Sequence, residues 1–438
     1  MLTVAYLANI FPSTVEPYVV EEIEELRRRG VRVVAGSVRR TRGESPLKFN
    51  ADVILQPLHL IVLLRAARLC LRRWRVIVPL VARVVLQGRE GPLLRAKALV
   101  HTWLGACYAV RLTGRGVQHI HVHHGYFGCW IGMVAARLLG VRFSMTLHGS
   151  DLLLHGAYLD VKLESCAFCV TVSEYNRKYI LNRYPWTDPR KIVVIRLGVD
   201  VPECAAKSTS EVKAGEPLKL LAVGRLHQVK DHAFLVHACA RLRCRDVPFE
   251  CEIAGEGPER HHLESLIRKM GLEKHVTLLG HIAREQMNVL YDRADVVVLT
   301  SRSEGIPLVL MEAMARGKIV LAPAITGIPE LVVANKTGFL YQPGSLDDFC
   351  SRLGFIRARR EPRPELPADI AQTAGRLDWV RFAAQLQVRH NFNRKTNLES
   401  FADLFLQRIA PRTESTPDEN FVLQQIQLSL QRNRSLSV

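Results

Sequence analysis

Residues 294–317 read ADVVVLTSRSEGIPLVLMEAMARG, and two acids, Glu304 and Glu312, stand eight positions apart in them. The apolar run ending at Thr300 predicts a buried strand, and SRSEG predicts the loop that leaves it, carrying Glu304 and Gly305. Pro307 suits the first turn of a helix, where its missing N–H removes a donor with no partner in any case. The amides around Gly305, Ile306 and Leu308 then face outward at a helix N-terminus, which favours an anion such as a diphosphate. Glu312 lies on that helix, about two turns below Glu304, beside Ala313, Met314 and Ala315. Its carboxylate can accept hydrogen bonds from vicinal hydroxyls such as those of a ribose. The plainer reading of both acids is one loop carboxylate and one carboxylate on a helix surface.

Two further stretches resemble this one in position. AVGRLHQVKD, residues 222–231, is a strand ending in Gly224-Arg225, with Lys230 five residues on. Glycine lets backbone approach a ligand closely. Arg225 and Lys230 offer two cations to a diphosphate leaving group. As solvated surface charge, they would be ordinary. AGEGPER places Gly255 and Gly257 after another strand, and alone that Gly-x-Gly is weak.

The same rhythm runs through most of the chain. VAYLA precedes the helical PYVVEEIEELRRRG, with Val19, Val20, Ile23 and Leu26 at helical spacing and Gly30 as the stop. VRVVAG, HIHVHH, RFSMTLH, FCVTVS and KIVVIRLG follow as strands separated by helical patterns. Residues 201–217, VPECAAKSTSEVKAGEP, break the pattern and read as a linker. LKLLAVG, FECEIAG, HVTLLG, ADVVVLT, GKIVLAP and TGFLY then restart it. Repeated βαβ units predict parallel sheets. The fold class is therefore α/β, with two doubly wound, Rossmann-like domains facing a cleft. The expected boundaries are 1–200, a linker at 201–217, 218–378, a helical segment at 379–410 and a partly ordered tail at 411–438. RREPRPELP, residues 359–367, is a second irregular break.

The 438 residues suffice for two cores. The ten cysteines form no paired framework, and Cys166 and Cys169, the one CxxC, lie in an apolar run as small buried hydrophobes. MLTVAYLANIF lacks a basic leader and reads as a first strand. No run reaches the roughly 18 uncharged apolar residues of a membrane span. A cytosolic protein is the default expectation. The net charge of +18 is uneven: residues 1–200 hold 28 Lys/Arg against 14 Asp/Glu, and the remainder 32 against 28. The N-terminal half is thus expected to meet something acidic.

Together, these residues resemble the retaining group 1 glycosyltransferases of family 4, which have the GT-B fold. Glu304 and Glu312 match the family's Glu-seven-Glu signature, Gly224-Arg225-Leu226 to Lys230 its Gly-Arg-Leu-x-x-x-Lys, and Gly255-Glu256-Gly257-Pro258 its Gly-x-Gly-Pro. Gly327-Ile328-Pro329-Glu330 and Gly338-Phe339-Leu340 also match. In the first half, HVHHGYFG, His148-Gly149-Ser150-Asp151 and VTVSEYNR resemble the bacterial exopolysaccharide and colanic-acid branch. There Val15-Glu16-Pro17-Tyr18 replaces the branch's usual Ser-Glu-Thr-Phe, which puts the acceptor side in question. The likeness covers about residues 1–410.

The resemblance implies transfer of a sugar from a nucleotide diphosphate sugar to a saccharide or lipid-linked acceptor. His148 would stand near the reacting sugar, Arg225 and Lys230 at the diphosphate, Glu304 at the donor sugar and Glu312 at the ribose. Gly224, Gly255, Gly257, Gly305, Ile306, Pro307 and Leu308 would line the donor site. No cofactor and no metal are expected. Asp151 is expected to cap the helix that follows it.

Two features stand apart. His119, His121, His123 and His124 could bind zinc, but strand alternation lets at most two or three converge, and no matching Cys/Asp set is evident. A role at the cleft edge is the stronger expectation. Residues 58–87, LHLIVLLRAARLCLRRWRVIVPLVARVVLQ, are apolar with Arg65, Arg68, Arg72, Arg73, Arg75 and Arg83. They read equally as a core helix with a basic edge or as a helix on an anionic membrane surface. No aromatic-interleaved basic patch supports nucleic-acid binding. An epimerase or phosphorylase of the same fold, a GT-B partner without catalysis and a basic binding protein remain as alternatives. A partner without catalysis would be expected to lack Arg225, Lys230 or Glu304, and all three are present.

Overall fold

The computed structural model describes residues 1–13, 16–39, 50–87, 90–202, 216–360 and 376–410. Most of the expected linker, most of the break at 359–367 and the whole tail lie outside them.

Two parallel sheets form. The first joins β1 (Thr3–Ile10), β2 (Arg32–Arg39), β3 (Val53–Ile54), β4 (His119–His123), β5 (Arg142–Leu147), β6 (Phe168–Thr171) and β7 (Ile192–Val194), in the order β3-β2-β1-β4-β5-β6-β7. The second joins β8 (Leu218–Val223), β9 (Phe249–Ala254), β10 (Val276–Gly280), β11 (Val296–Val298), β12 (Ile319–Pro323) and β13 (Phe339–Tyr341), in the order β10-β9-β8-β11-β12-β13. Strands buried on both faces explain the near-continuous apolar runs. Val296, Val297 and Val298, for example, are all fully buried. The strand order reverses between β1 and β4 in one sheet and between β8 and β11 in the other. Crevices for ligands open beyond the strand ends at such points. Gly224-Arg225 leaves β8 and Glu304-Gly305 leaves the β11 side, so both key loops flank one switch point.

The helix Pro17–Arg28 buries Val19, Val20, Ile23 and Leu26, as its spacing requires, and also Glu22. Gly30 follows at φ 82°. The expected C-terminal segment divides between the two domains. Helix Arg376–Asn391 packs on the helix Leu308–Ala315, whereas helix Arg394–Ile409 crosses to the first domain and packs on Pro17–Arg28. Phe401 and Phe405 there share a core with Tyr6 and Phe168. The two crossings are tied side by side: Val199 N donates to Phe392 O at 2.9 Å and Arg394 N to Val199 O at 3.0 Å. Gly198 is required there, because a Cβ would meet Arg394 N at 2.5 Å.

Among the described residues all nine cysteines are free, and Cys166 and Cys169 are buried. The stretch from 58 to 87 is not a single helix. It forms two helices, Leu60–Arg72 and Trp74–Leu86, which bury only Ala66, Leu80 and Val84. Val62, Leu63, Leu69, Val76 and Ile77 pack against the first domain's core, so one face covers that core and the other is left exposed.

Candidate active site

The loops after β8 and β11 are stitched together by backbone. Arg302 N donates to Val229 O at 2.8 Å, and the Thr300 hydroxyl donates to Lys230 O at 2.9 Å. This fixes the Lys230 backbone beside the Glu304 loop. The Lys230 ammonium donates to Glu304 Oε1 at 2.5 Å, and Ser301 Oγ donates to the same oxygen at 2.6 Å. Lys230 and Glu304, 74 positions apart and both expected at the donor site, therefore meet in one ion pair. The lysine stem runs past Gly224, with Cδ 3.6 Å from where a Cβ would stand. Arg225 is exposed beside them.

Gly255 and Gly257 occupy φ 151° and 159°. A Cβ at Gly255 would stand 1.9 Å from Gly224 O, and one at Gly257 2.3 Å from Leu226 O. These glycines let the β9 exit lie directly on the β8 exit, where Leu226 N donates to Glu256 O at 2.9 Å.

Pro307 is the N-cap of the helix Leu308–Ala315, one position earlier than a first-turn proline, and no side chain caps that end. Among the described residues, the amides of Gly305, Ile306 and Leu308 meet no acceptor. Glu312 sits in the second turn of this helix, away from Lys230. It accepts from the Tyr291 hydroxyl at 2.7 Å. Burial first, and then Glu312, push the Tyr291 phenol well above its ordinary range. Glu312 lines a cavity of about 480 Å³ with Asp200, Asn288, Arg316 and Arg394, and neither Arg225 nor Lys230 borders it.

Across the cleft, the first domain presents His148-Gly149 at the end of β5. A Cβ on Gly149 would stand 2.8 Å from Gly305 N, and one on Gly305 2.2 Å from His148 O. The two domains thus touch glycine to glycine. Glu330 of the second domain reinforces the contact. It accepts from Glu174 N at 3.0 Å and Tyr175 N at 2.7 Å, both at the start of the helix Glu174–Arg183, and lies 3.3 Å from Arg196. Asn176 Nδ2 donates to His148 O at 3.0 Å.

His148 is half-buried among rings, 4.7 Å from Tyr18 and 4.5 Å from His124 between centroids. Its Nε2 lies 3.3 Å from His123 Nδ1. Burial chiefly, and then His124, His123 and His121, hold its pKa well below the ordinary imidazole value. His124 lies 3.0 Å from Glu16 Oε1 and 3.8 Å from Asp151. Burial opposes its charge, yet Glu16 and Asp151 raise its pKa. Burial likewise works against the Glu16 carboxylate, which His124, His123 and, across the cleft, Arg225 still hold below its ordinary value.

Asp151 is not a simple cap. It is fully buried. Its carboxylate accepts from Gly149 N at 2.7 Å, Gly125 N at 2.8 Å and His148 N at 3.1 Å. It ties the loops after β4 and β5 together from beneath, because its side chain turns back to amides that precede it.

His119, His121 and His123 share one face of β4 and are all buried. His119 and His121 meet Ser144 Oγ at 2.6 and 2.7 Å, and His121 meets Thr146 at 3.0 Å. Glu22 joins from the first helix, 2.9 Å from His123 Nε2. Among the described residues, Glu22, His121 and His123 bring three ligand-type atoms within 4.8 Å of one another. Their nitrogens, however, already meet Ser144, Thr146 and Glu22.

Family models match the two halves. Residues 15–203 match "Glycosyltransferase Family 4" and residues 205–373 match "Glycosyl transferases group 1". The chain belongs to the group 1, family 4 glycosyltransferases. A Salmonella typhimurium protein named for colanic acid biosynthesis, the glycosyltransferase WcaL, is 37% identical over 172 residues, 38% of this chain and 42% of that protein. The amylovoran biosynthesis glycosyltransferase AmsK of Erwinia amylovora is 30% identical over 226 residues, 50% of this chain and 51% of that protein. This family 4 chain spans about half the length of the curated relatives it matches. The solved structure of Anabaena Alr3699/HepE, in complex with UDP and glucose, superposes with a TM-score of 0.63 at 18% identity, covering 93% of this chain and 100% of that one. The fold of this family 4 glycosyltransferase is GT-B.

Sequence reasoning missed Glu22, Tyr291 and Glu330 as partners of the site. Glu330 stood in the matched Gly327-Ile328-Pro329-Glu330 without an assigned role, and Glu22 left a trace as an acid among the buried positions of an amphipathic helix.

Proposed function

We propose that the protein transfers a sugar from a nucleotide diphosphate sugar to a saccharide or lipid-linked acceptor, with retention, in the synthesis of exopolysaccharide or another cell-surface glycan. One observation carries this reading. Lys230, Arg225 and the unpartnered amides of Gly305, Ile306 and Leu308 surround one switch point, and His148-Gly149 faces it across a glycine contact. A diphosphate takes over the Lys230 ammonium from Glu304 and frees that carboxylate for sugar hydroxyls. The growing charge on the leaving group meets fixed cations and amides, as electrostatic catalysis requires. Glu312, from its own cavity, is assigned to the ribose. In a retaining reaction the leaving phosphate oxygen takes the acceptor's proton, so His148 need not act as a base. The names of WcaL and AmsK, and the UDP bound by Alr3699/HepE, support this reading. Calorimetric titration with a set of nucleoside diphosphates tests the donor half: one binds with Glu312→Ala weakening it, and no binding by any of them rejects it. Two cations and a helix start leave no task for a metal, so activity is expected to persist in EDTA.

The reaction is assigned to an anionic bilayer surface, at the inner face of the plasma membrane. Among the described residues no helix is long and apolar enough to cross a membrane. Instead the helices Leu60–Arg72 and Trp74–Leu86 expose Leu60, Ile61, Leu64, Leu71, Trp74 and Leu86, with Leu71 76% and Leu86 78% accessible. Arg65, Arg68, Arg72 and Arg73 are exposed between them and pair with no carboxylate among the described residues. No acid stands from 53 to 89. Apolar and aromatic tips beside unpaired arginines suit headgroups and acyl chains together, and each basic residue adds about 1 kcal/mol at an anionic leaflet. The protein is expected to sediment with phosphatidylglycerol vesicles at low salt and to be released at high salt. Equal binding to neutral vesicles, or self-association without vesicle binding, rejects this docking.

A further inference from the structure

Glu22 is a carboxylate on the buried face of an amphipathic helix, 4% accessible. An apolar residue there would avoid the desolvation of a carboxylate, so its partners bear on its role. Its Oε2 takes the Tyr6 hydroxyl at 3.3 Å and His123 Nε2 at 2.9 Å. Burial first, and then Glu22, push the Tyr6 phenol far above its ordinary range, so it keeps its proton and donates. One oxygen facing two donors is an acceptor, so His123 donates to it from Nε2, and as a neutral ring it keeps a lone pair on Nδ1. His148 Nε2 faces that lone pair at 3.3 Å and must donate to it. The neutral ring of His148 then has no proton left for Nδ1. That Nδ1 is buried and has no hydrogen-bond partner in the protein.

We propose that Glu22 and His123 are positioning residues that fix His148 as the tautomer protonated on Nε2, presenting an Nδ1 lone pair to a substrate hydroxyl. This rests on the transferase reading given above. A buried acceptor without a donor calls for an explanation, and functional sites are one. The ligand class follows from the lone pair. Phosphate oxygens only accept near neutral pH, whereas sugar and acceptor hydroxyls donate. The partner of Nδ1 is thus a hydroxyl of the sugar or the acceptor, not the diphosphate. Tyr18 and His124 pack against the ring, and the His123 bond sets its rotation. The chain Glu22–His123–His148 runs from the buried helix to the glycine contact between the domains.

The test uses the full chain labelled with ¹⁵N-histidine, with His148 assigned by difference from His148→Ala. Nitrogen shifts distinguish the two tautomers directly. Wild type is expected to show His148 protonated on Nε2 and bare on Nδ1. In Glu22→Gln the amide can accept from or donate to His123, so His148 becomes a mixture of tautomers while thermal unfolding shows a folded protein. Turnover at saturating donor falls about tenfold or more from the loss of orientation, with KM for the donor unchanged. In a His148→Ala background Glu22→Gln costs nothing further. A wild-type His148 protonated on Nδ1, a tautomer unmoved by Glu22→Gln, additive losses, or one equivalent of zinc in the purified protein would each overturn the proposal. The spectra decide it even if no sugar is transferred, whereas a wild type inactive with every donor overturns the transferase reading alone.

Discussion

Replacing Gly149 with alanine probes the junction where the two domains meet. The new Cβ would stand 2.8 Å from Gly305 N, 0.6 Å short of the 3.4 Å at which ordinary contact begins. Its obstacle is backbone of the other domain, which no side-chain rotation can relieve, so the cleft must open by about that amount. A misplacement of about 1 Å can cost roughly 100-fold in rate, so this smaller one is expected to cost about tenfold. Gly305→Ala sets a larger conflict, 2.2 Å from His148 O and so 1.2 Å short, and is expected to cost about 100-fold or more. The assay is nucleoside diphosphate release at saturating donor, with nucleotide affinity measured by calorimetry. Gly149 lies in the first domain, so Gly149→Ala should leave nucleotide affinity near wild type. Wild-type turnover in both variants, or a greater loss in Gly149→Ala than in Gly305→Ala, would refute a reaction that needs this contact.

Arg225→Ala and Lys230→Ala should each lower turnover by roughly two to three powers of ten without unfolding the protein, read by the same assay with circular dichroism as control. Asp151→Ala strands three amides that its carboxylate now satisfies, and each buried orphan costs about 1–3 kcal/mol, so urea unfolding should show a loss of about 3 kcal/mol or more. That exceeds the roughly 1 kcal/mol of a lost cap. The Glu16–His124 pair gives a pH signature. Because the folded pKa of His124 is raised above its ordinary 6.5, its contribution is complete below that value and is lost as pH rises through the raised one. Glu16, lowered from 4.5, contributes above that value and loses it as pH falls through the lowered one. Melting temperature followed across pH should show both limbs in wild type, whereas Glu16→Gln loses the acid limb and keeps only a weakened His124 limb from Asp151.

The fold was legible because parallel strands buried on both faces leave apolar runs, and ADVVVLT, LKLLAVG and FCVTVS each became one. That Lys230 and Glu304 follow strands was legible, but their ion pair was not, because it depends on a strand order that sets β8 beside β11. Residues 58–87 show the limit of periodicity. Apolar content predicts burial only when a partner surface exists, and here Leu60, Ile61 and Leu71 face outward. Asp151 shows another. An acid early in a helix looks like a cap, but its side chain can turn back to amides of two loops, and no spacing in the chain records that choice. Glu22 and His123 lie 101 positions apart, and Glu330 and Tyr175 155 apart. Pairings of that kind depend on how two domains and a returning helix pack. The return of Arg394–Ile409 to the first domain was likewise invisible, because an amphipathic helix does not name the sheet it covers.

The central claim is sugar transfer from a nucleotide donor held by Arg225 and Lys230. Its most direct test incubates the full chain with a panel of nucleotide diphosphate sugars and a membrane extract as acceptor source, and measures nucleoside diphosphate release. The expected result is release from at least one donor, dependent on the extract, persisting in EDTA and nearly abolished in Arg225→Ala and Lys230→Ala. Release from no donor, or release that both variants support at the wild-type rate, would contradict the claim.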